Sequence, residues 1–167
     1  DMNGTGTLTT IDPYPQEQVD KLPVDELIAE PVENVPLERF ESHQPGEMLF
    51  IDSSHVIRMG GDVQFLYLDV LPRLQSGVLV HIHDIHFPYN HPFPADFWLF
   101  GERWPVYWQE VMVVQAFLAF NESFEIQLST PMVRHHDEAF LLDRFENYTP
   151  IAQDKNPPSS LWLQRIK

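Results

Sequence analysis

One short stretch near the middle of the chain constrains the fold more than any other. Residues 78–82 form an apolar, β-branched run with Gly77 before it and Pro88 after it, a pattern typical of a buried strand. In open α/β sheets, ligands bind outside the carboxyl ends of the strands. A single histidine there is usually a core residue that has found a hydrogen-bond partner, but four polar residues together indicate a functional site. They are His81, His83, Asp84 and His86.

The composition indicates a soluble, acidic chain. Its 167 residues suffice for one domain with a sizeable core, and no apolar run approaches the ~20 residues that a membrane-spanning helix needs. The formal net charge of −15 would repel a phosphate backbone, so we expect neither nucleic acid nor a membrane as a partner. The chain has no cysteine, which fits a reducing compartment, and we expect a cytoplasmic location.

Strand and helix patterns alternate along the chain, which predicts βαβ units and a parallel sheet in an α/β fold. Residues 89–104 are rich in proline and aromatic residues and are predicted to form a loop that covers the site. The predicted strands are 7–12, 26–35 (interrupted by Pro31), 47–52, 78–84, 124–128 and 160–166, and the predicted helices are 16–22, 36–40, 62–74, 106–120 and 137–148.

Two of the predicted strands end in residues that can carry chemistry. The strand at 47–52 ends at Asp52 and is followed by His55, and the central strand ends at His83 and Asp84. Right-handed crossovers place the carboxyl ends of neighbouring parallel strands on one edge of the sheet. We therefore expect these four side chains to converge.

Four segments, taken together, resemble one family. They are residues 50–56, residues 62–74 with the ending Leu-Pro-Arg-Leu, residues 77–85, and Trp108-Gln109-Glu110 followed by residues 116–118. The chain resembles the class I S-adenosylmethionine-dependent methyltransferases over residues 8–166, in particular the branch whose fourth strand ends in Asp-x-x-His. The resemblance implies a single domain over residues 1–167 with a Rossmann-like sheet, mostly parallel, whose C-terminal strand is antiparallel.

The same resemblance implies a cofactor, a substrate class and a set of site residues. S-adenosylmethionine would supply a methyl group to a small-molecule acceptor. Asp12 matches the acidic residue that binds the ribose hydroxyls, and Asp52, Ser53 and His55 match positions beside the cofactor. His55 is the candidate general base, with Asp52 as its catalytic neighbour, because an imidazole that titrates near neutrality suits proton removal from a hydroxyl.

Some relatives also hold Mg²⁺ with carboxylates that follow the fourth and fifth strands. By resemblance these are Asp52 and Asp84, with His83 beside them, and a hard cation prefers the carboxylate oxygens to the imidazole. Alternatively, the two aspartates cap a helix or brace a loop.

The chain departs from the family pattern at its N-terminus. The first strand and the glycine-rich loop of the family should precede residue 8, and no apolar strand leads into Gly4-Thr5-Gly6. We therefore expect that this N-terminal strand is missing, either because the chain is a C-terminal portion of a longer domain or because the lineage has lost that element. Its absence would expose sheet edges, which promote pairing with a second copy of the chain.

Two other functions remain open from the sequence. The cluster of His81, His83 and Asp84 suggests a metallohydrolase, although its aspartate is shifted by one position from the His-x-His-x-Asp-His pattern. The missing glycine-rich loop also allows a methyltransferase-like module that binds or assembles without catalysis, because a fold alone does not establish an activity.

Overall fold

A computed structural model describes residues 6–15, 23–89, 108–148, 150 and 159–167. The predicted helix at 16–22 and nearly all of the predicted loop at 89–104 lie outside these residues. Within them the chain forms six strands and five α-helices. The strands are β1 (Thr9–Ile11), β2 (Glu26–Ile28), β3 (Met48–Ile51), β4 (Leu79–His83), β5 (Phe124–Ser129) and β6 (Ser160–Arg165), and the helices are α1 (Leu37–Glu41), α2 (Asp62–Phe65), α3 (Glu110–Leu118), α4 (Thr130–His136) and α5 (Glu138–Arg144).

The strands are arranged in two sheets. Strands β1 and β2 form a parallel pair, while the other four strands form a sheet in the order β3-β4-β6-β5. Strands β3 and β4 are parallel, and β6 is antiparallel to both of its neighbours. Among the described residues, β1 and β3 each pair on one side only.

The segment after β3 is one helical run with three geometries. It begins as α2, widens to a π-helix over Leu66–Val70 and ends as a 3-10 turn over Leu71–Arg73. Pro72 has no N–H group to continue the α-helical hydrogen bonds, which accounts for the tighter last turn. The residues that the sequence assigns to one face of this helix are buried, namely Val63, Leu66, Val70 and Leu71. Tyr67 is also buried.

The core lies between this helical run, α3 and one face of the four-stranded sheet. Val80 and Ile82 of β4 and Leu161 and Leu163 of β6 are fully buried there. Because strand side chains alternate, the intervening residues face the opposite side of the sheet. Phe50, His81 and Trp162 lie in one cross-strand row on that side, and Phe50 is 50% exposed.

Several boundaries differ from the sequence prediction for identifiable reasons. The predicted strand at 26–35 ends at Ile28, and a 3-10 turn over Val32–Asn34 follows Pro31, which cannot donate to a strand ladder. The sequence predicts Asp62 as the N-cap of the helix at 62–74, whereas Gly61 is the N-cap residue of α2. Helix α4 was not predicted, and α5 is shorter than predicted. None of the described helices combines the length and apolar character needed to cross a membrane.

Candidate active site

The carboxyl ends of β3 and β4 bring together the four side chains that the sequence singles out there. Asp52 follows β3, and its Oδ1 lies 3.5 Å from Nδ1 of His83, the last residue of β4. The same Asp52 oxygen lies 3.9 Å from Nε2 of His55, and His83 Nδ1 lies 3.5 Å from Asp84 Oδ1. Parallel pairing therefore builds the predicted cluster at one edge of the sheet.

Both chain segments that leave this edge turn sharply. His55 and Asp84 adopt positive φ angles of 59° and 54°, in the left-handed region. Histidine and aspartate enter this region more readily than most residues, but each such residue still costs about 1 kcal/mol or more. Surrounding contacts must hold these two conformations, and the structure shows several at His55.

One of these contacts joins the loop after β3 to the first turn of α2. The Asp62 carboxylate accepts hydrogen bonds from the Ser54 amide (2.6 Å) and the Ser54 hydroxyl (2.7 Å). Partial burial alone would raise the pKa of Asp62, but the hydrogen bonds from Ser54 and the Val63 amide, together with Arg58, lower it overall. The carboxylate thus stays ionised and fixes the loop on which His55 lies.

Glu110 is the most informative residue that the sequence did not identify as part of the site. Its side chain is fully buried at the start of α3, and its Oε2 lies 2.7 Å from Nδ1 of His55. The backbone supports this contact, because the amides of Gln109 and Glu110 both donate to the His55 carbonyl (3.0 and 3.2 Å). Helix α3 is therefore attached at its N-terminus to the catalytic candidate.

Two hydroxyl groups complete the surroundings of the Glu110 carboxylate. Ser53 Oγ donates to Oε2 (2.6 Å), and Tyr67 OH donates to Oε1 (2.9 Å). Burial and the nearby Glu110 charge raise the pKa of Tyr67 well above its usual value, so the phenol stays protonated as a donor. A buried carboxylate is costly unless it is hydrogen-bonded, and here two hydroxyl groups donate to it while the His55 ring lies within hydrogen-bond distance.

Aromatic and imidazole rings lie beside His55. The Trp108 ring is 4.7 Å from the His55 ring between centroids, and the His86 ring lies 6.3 Å from Trp108 on another side. His86 is 7% exposed, and its burial lowers its pKa to about 4, so it is a neutral imidazole at physiological pH. The surroundings of His55 are thus partly apolar.

Among the described residues, the His81 ring contacts aromatic side chains and none of Asp52, His55 and Asp84. Its ring stacks on Trp162 at 4.0 Å between centroids and meets Phe50 edge-on at 5.0 Å, on the opposite side of the sheet from the core. Burial, with the nearby His83, lowers the pKa of His81. The geometry therefore gives no support to a metallohydrolase site that uses His81, His83 and Asp84.

The predicted metal site at Asp52, Asp84 and His83 also receives no support. Within the described ranges, no three histidine, aspartate or glutamate side chains are arranged to hold a metal ion. Asp84 Oδ1 instead accepts a hydrogen bond from Ser159 Oγ (2.8 Å), and His83 pairs with both carboxylates. The alternative interpretation, in which Asp84 braces a loop, agrees with these contacts.

Asp12 follows β1 in the two-stranded sheet. Its Oδ1 accepts a hydrogen bond from the Tyr14 amide (2.8 Å), and its Oδ2 has no partner among the described residues. A carboxylate with an available oxygen after a parallel strand has the chemistry required to accept ribose hydroxyls, which is the role that the resemblance gives Asp12. Ser53 was predicted to bind the cofactor, but its hydroxyl is engaged with Glu110.

Comparison with models of protein families matches residues 1–85 to a family described as a methyltransferase domain. The match covers just over half of the 167 residues. The chain belongs to the class I S-adenosylmethionine-dependent methyltransferase family, and its mixed α/β sheets fit a Rossmann-like fold. No curated protein and no solved structure matches the chain. The matched region contains His55 and its aspartate neighbours, whereas Glu110 lies beyond it.

Proposed function

We propose that this protein methylates a hydroxyl oxygen of a small-molecule acceptor, with His55 as the general base. One observation carries the proposal. His55 lies at the carboxyl edge of the sheet, its side chain is 14% exposed, and its Nε2 faces Asp52 while its Nδ1 is bound to Glu110. One ring nitrogen is thus held by the protein, and the other faces the edge where ligands of α/β sheets bind.

In this proposal each site residue has a separate role. When bound, S-adenosylmethionine supplies an electrophilic methyl group on a sulfonium. Asp12 would accept hydrogen bonds from its ribose hydroxyls, and Asp52 would lie beside cofactor and acceptor. His55 Nε2 would accept the proton that the acceptor hydroxyl loses on methylation, and Asp52, 3.9 Å from Nε2, would stabilise the imidazolium that forms.

The surroundings of His55 favour a small acceptor with an apolar part. The Trp108 ring beside His55 offers an apolar surface against which a planar or sugar-like scaffold can pack. The net charge of −15 disfavours a polyanionic acceptor.

We propose also that both sheets belong to one class I arrangement of seven strands. In that arrangement a single strand lies between the second and fourth, which correspond to β1 and β3. This assignment is supported by the order β3-β4-β6-β5, by the parallel pairs β1-β2 and β3-β4, and by the antiparallel β6.

The first test is calorimetric titration of the chain with S-adenosylhomocysteine, with and without Mg²⁺. We expect binding by the wild-type chain, weaker binding by Asp12→Asn, and no change for Asp143→Asn, a control whose side chain is 74% exposed on α5. An effect of Mg²⁺ would restore a role for Asp84. A folded wild-type chain that fails to bind S-adenosylhomocysteine would overturn the proposal and favour a non-catalytic module.

The second test measures transfer of a radiolabelled methyl group to a panel of small hydroxyl compounds. Loss of a general base typically lowers the rate by about 10²- to 10⁴-fold, so we expect that loss in His55→Gln. His135→Gln, which changes an exposed histidine of α4, is the matched control. Equal turnover by His55→Gln and the wild-type chain would exclude His55 as the base.

A further inference from the structure

We propose that Glu110 is the positioning residue that fixes the tautomer and orientation of His55. The inference rests on the proposed function, in which His55 is the base, but it concerns a residue beyond the family match. A neutral imidazole carries its proton on one nitrogen and accepts with the other. Which nitrogen is bare decides whether His55 can take a proton from the acceptor.

The carboxylate of Glu110 selects one of the two tautomers. At 2.7 Å from an ionised oxygen, Nδ1 must carry the hydrogen, because a bare Nδ1 would bring two acceptors together in a buried place. Nε2 is then the bare nitrogen, and it lies 3.9 Å from Oδ1 of Asp52, whose side chain is 57% exposed. The contact thus places the lone pair of His55 where a substrate proton would lie.

The Glu110 carboxylate is itself held in place. Ser53 and Tyr67 donate to its two oxygens, and the start of α3 is tied to the His55 carbonyl by two backbone hydrogen bonds. Its side chain is fully buried, so water cannot substitute for these donors. A fixed orientation of the carboxylate gives a fixed orientation of the imidazole, which is what a general base requires.

A residue that only stabilises the fold would make the same contacts, so the test must measure directly which ring nitrogen of His55 carries the proton. We would record nitrogen-15 spectra of histidine-labelled protein and assign His55 by comparison with His55→Gln. The expected wild-type result is a protonated Nδ1 and a bare Nε2 when the ring is neutral. A protonated Nε2 in the wild-type chain would overturn the proposal without any further variant.

Two variants separate positioning from general stabilisation. In Glu110→Gln, which keeps the size of the side chain and removes its charge, we expect the Nε2-protonated tautomer to become substantially populated. Tyr67→Phe removes a hydrogen bond to the same carboxylate without touching His55, and it should retain the Nδ1-protonated tautomer. If both variants lower the melting temperature and neither changes the tautomer, Glu110 has a structural role only.

Failure of the proposed function can be distinguished from failure of this inference. A wild-type chain that does not bind S-adenosylhomocysteine contradicts methyl transfer but leaves the tautomer measurement intact. If methyl transfer is observed, Glu110→Gln should lower turnover by at least about tenfold and leave affinity for S-adenosylhomocysteine within about twofold of the wild type. Unchanged turnover in a variant with an altered tautomer would overturn the catalytic importance of the contact.

Discussion

His86 is a base that the folded chain keeps neutral. Its burial lowers its pKa to about 4, opposed by the nearby Asp84 and reinforced by His55 and Arg134. In the unfolded chain a histidine titrates near pH 6.5, so between about pH 6.5 and 4 only the unfolded chain takes up this proton. The contribution of His86 to stability is therefore complete above about pH 6.5 and is lost as the pH falls towards 4, by up to about 3 kcal/mol.

Urea unfolding of the wild-type chain and His86→Gln at about pH 7.5 and about pH 4.5 checks this prediction. The wild-type free energy of unfolding should fall more on acidification than that of His86→Gln, because the glutamine at position 86 cannot take up a proton. His136→Gln removes an exposed histidine of α4 and should behave like the wild type. Equal acid losses in the wild type and His86→Gln would show that His86 is accessible to protons in the folded state.

Glu110 shows how far residue-level prediction from the sequence extends. The sequence identifies Asp52, His55, His83 and Asp84 as neighbours, because strand pairing alone brings their positions together. Glu110 stands out in the sequence as a carboxylate within an apolar segment and as part of the Trp108-Gln109-Glu110 segment that resembles the family, but neither feature identifies its partner. Its partner lies 55 positions earlier, and no periodicity or local signal encodes that contact. A charged residue in an otherwise apolar run is the one indication that a buried partner must exist.

The loop after β3 is held to α2 by the hydrogen bonds between Ser54 and Asp62. We predict that Asp62→Ala raises the hydrogen-exchange rate of the Ser54 amide by about tenfold or more, because a hydrogen bond to a charged group contributes about 1.5–3 kcal/mol. Hydrogen exchange followed by NMR measures this rate. Asp69→Ala is the control, since Asp69 lies on the same helical run and contacts Arg73. Unchanged exchange at Ser54 would mean that other contacts fix the loop.

Elements with strong patterns were predicted well, and short helices were not. The predicted strands at 47–52, 78–84 and 160–166 contain β3, β4 and β6, whose apolar β-branched or alternating runs are distinctive. Helix α4 was missed although Ser129 caps its N-terminus and Pro131 lies in its first turn. Its seven residues carry arginine and histidines rather than an apolar stripe, so the cap is its only strong signal.

The edge strand β3 leads to a prediction about assembly of the chain. Among the described residues β3 pairs only with β4, and Met48 and Phe50 on its outer face are each about half exposed. An open, apolar edge strand favours pairing with another chain. We predict that the protein self-associates through this edge, and that sedimentation velocity will show a mass that rises with concentration.

The variant Met48→Lys tests which surface is used. A lysine on an edge strand opposes pairing, so the variant should sediment as a monomer at concentrations where the wild type associates. Met112→Lys on α3 is the matched control, because Met112 is similarly exposed and the change in charge is identical. A wild-type chain that stays monomeric, or an equal effect of the two variants, would contradict pairing through β3.

The attachment of α3 to the His55 loop has a consequence for protein engineering. The family match ends at residue 85, which invites the construction of chimeras that join this N-terminal half to the C-terminal half of a relative. Such a junction would separate Ser53, His55 and Tyr67 from Glu110, although the four form one hydrogen-bonded group. The two halves are therefore not interchangeable modules, and a working hybrid must inherit all four residues from one parent or supply a matching carboxylate at position 110.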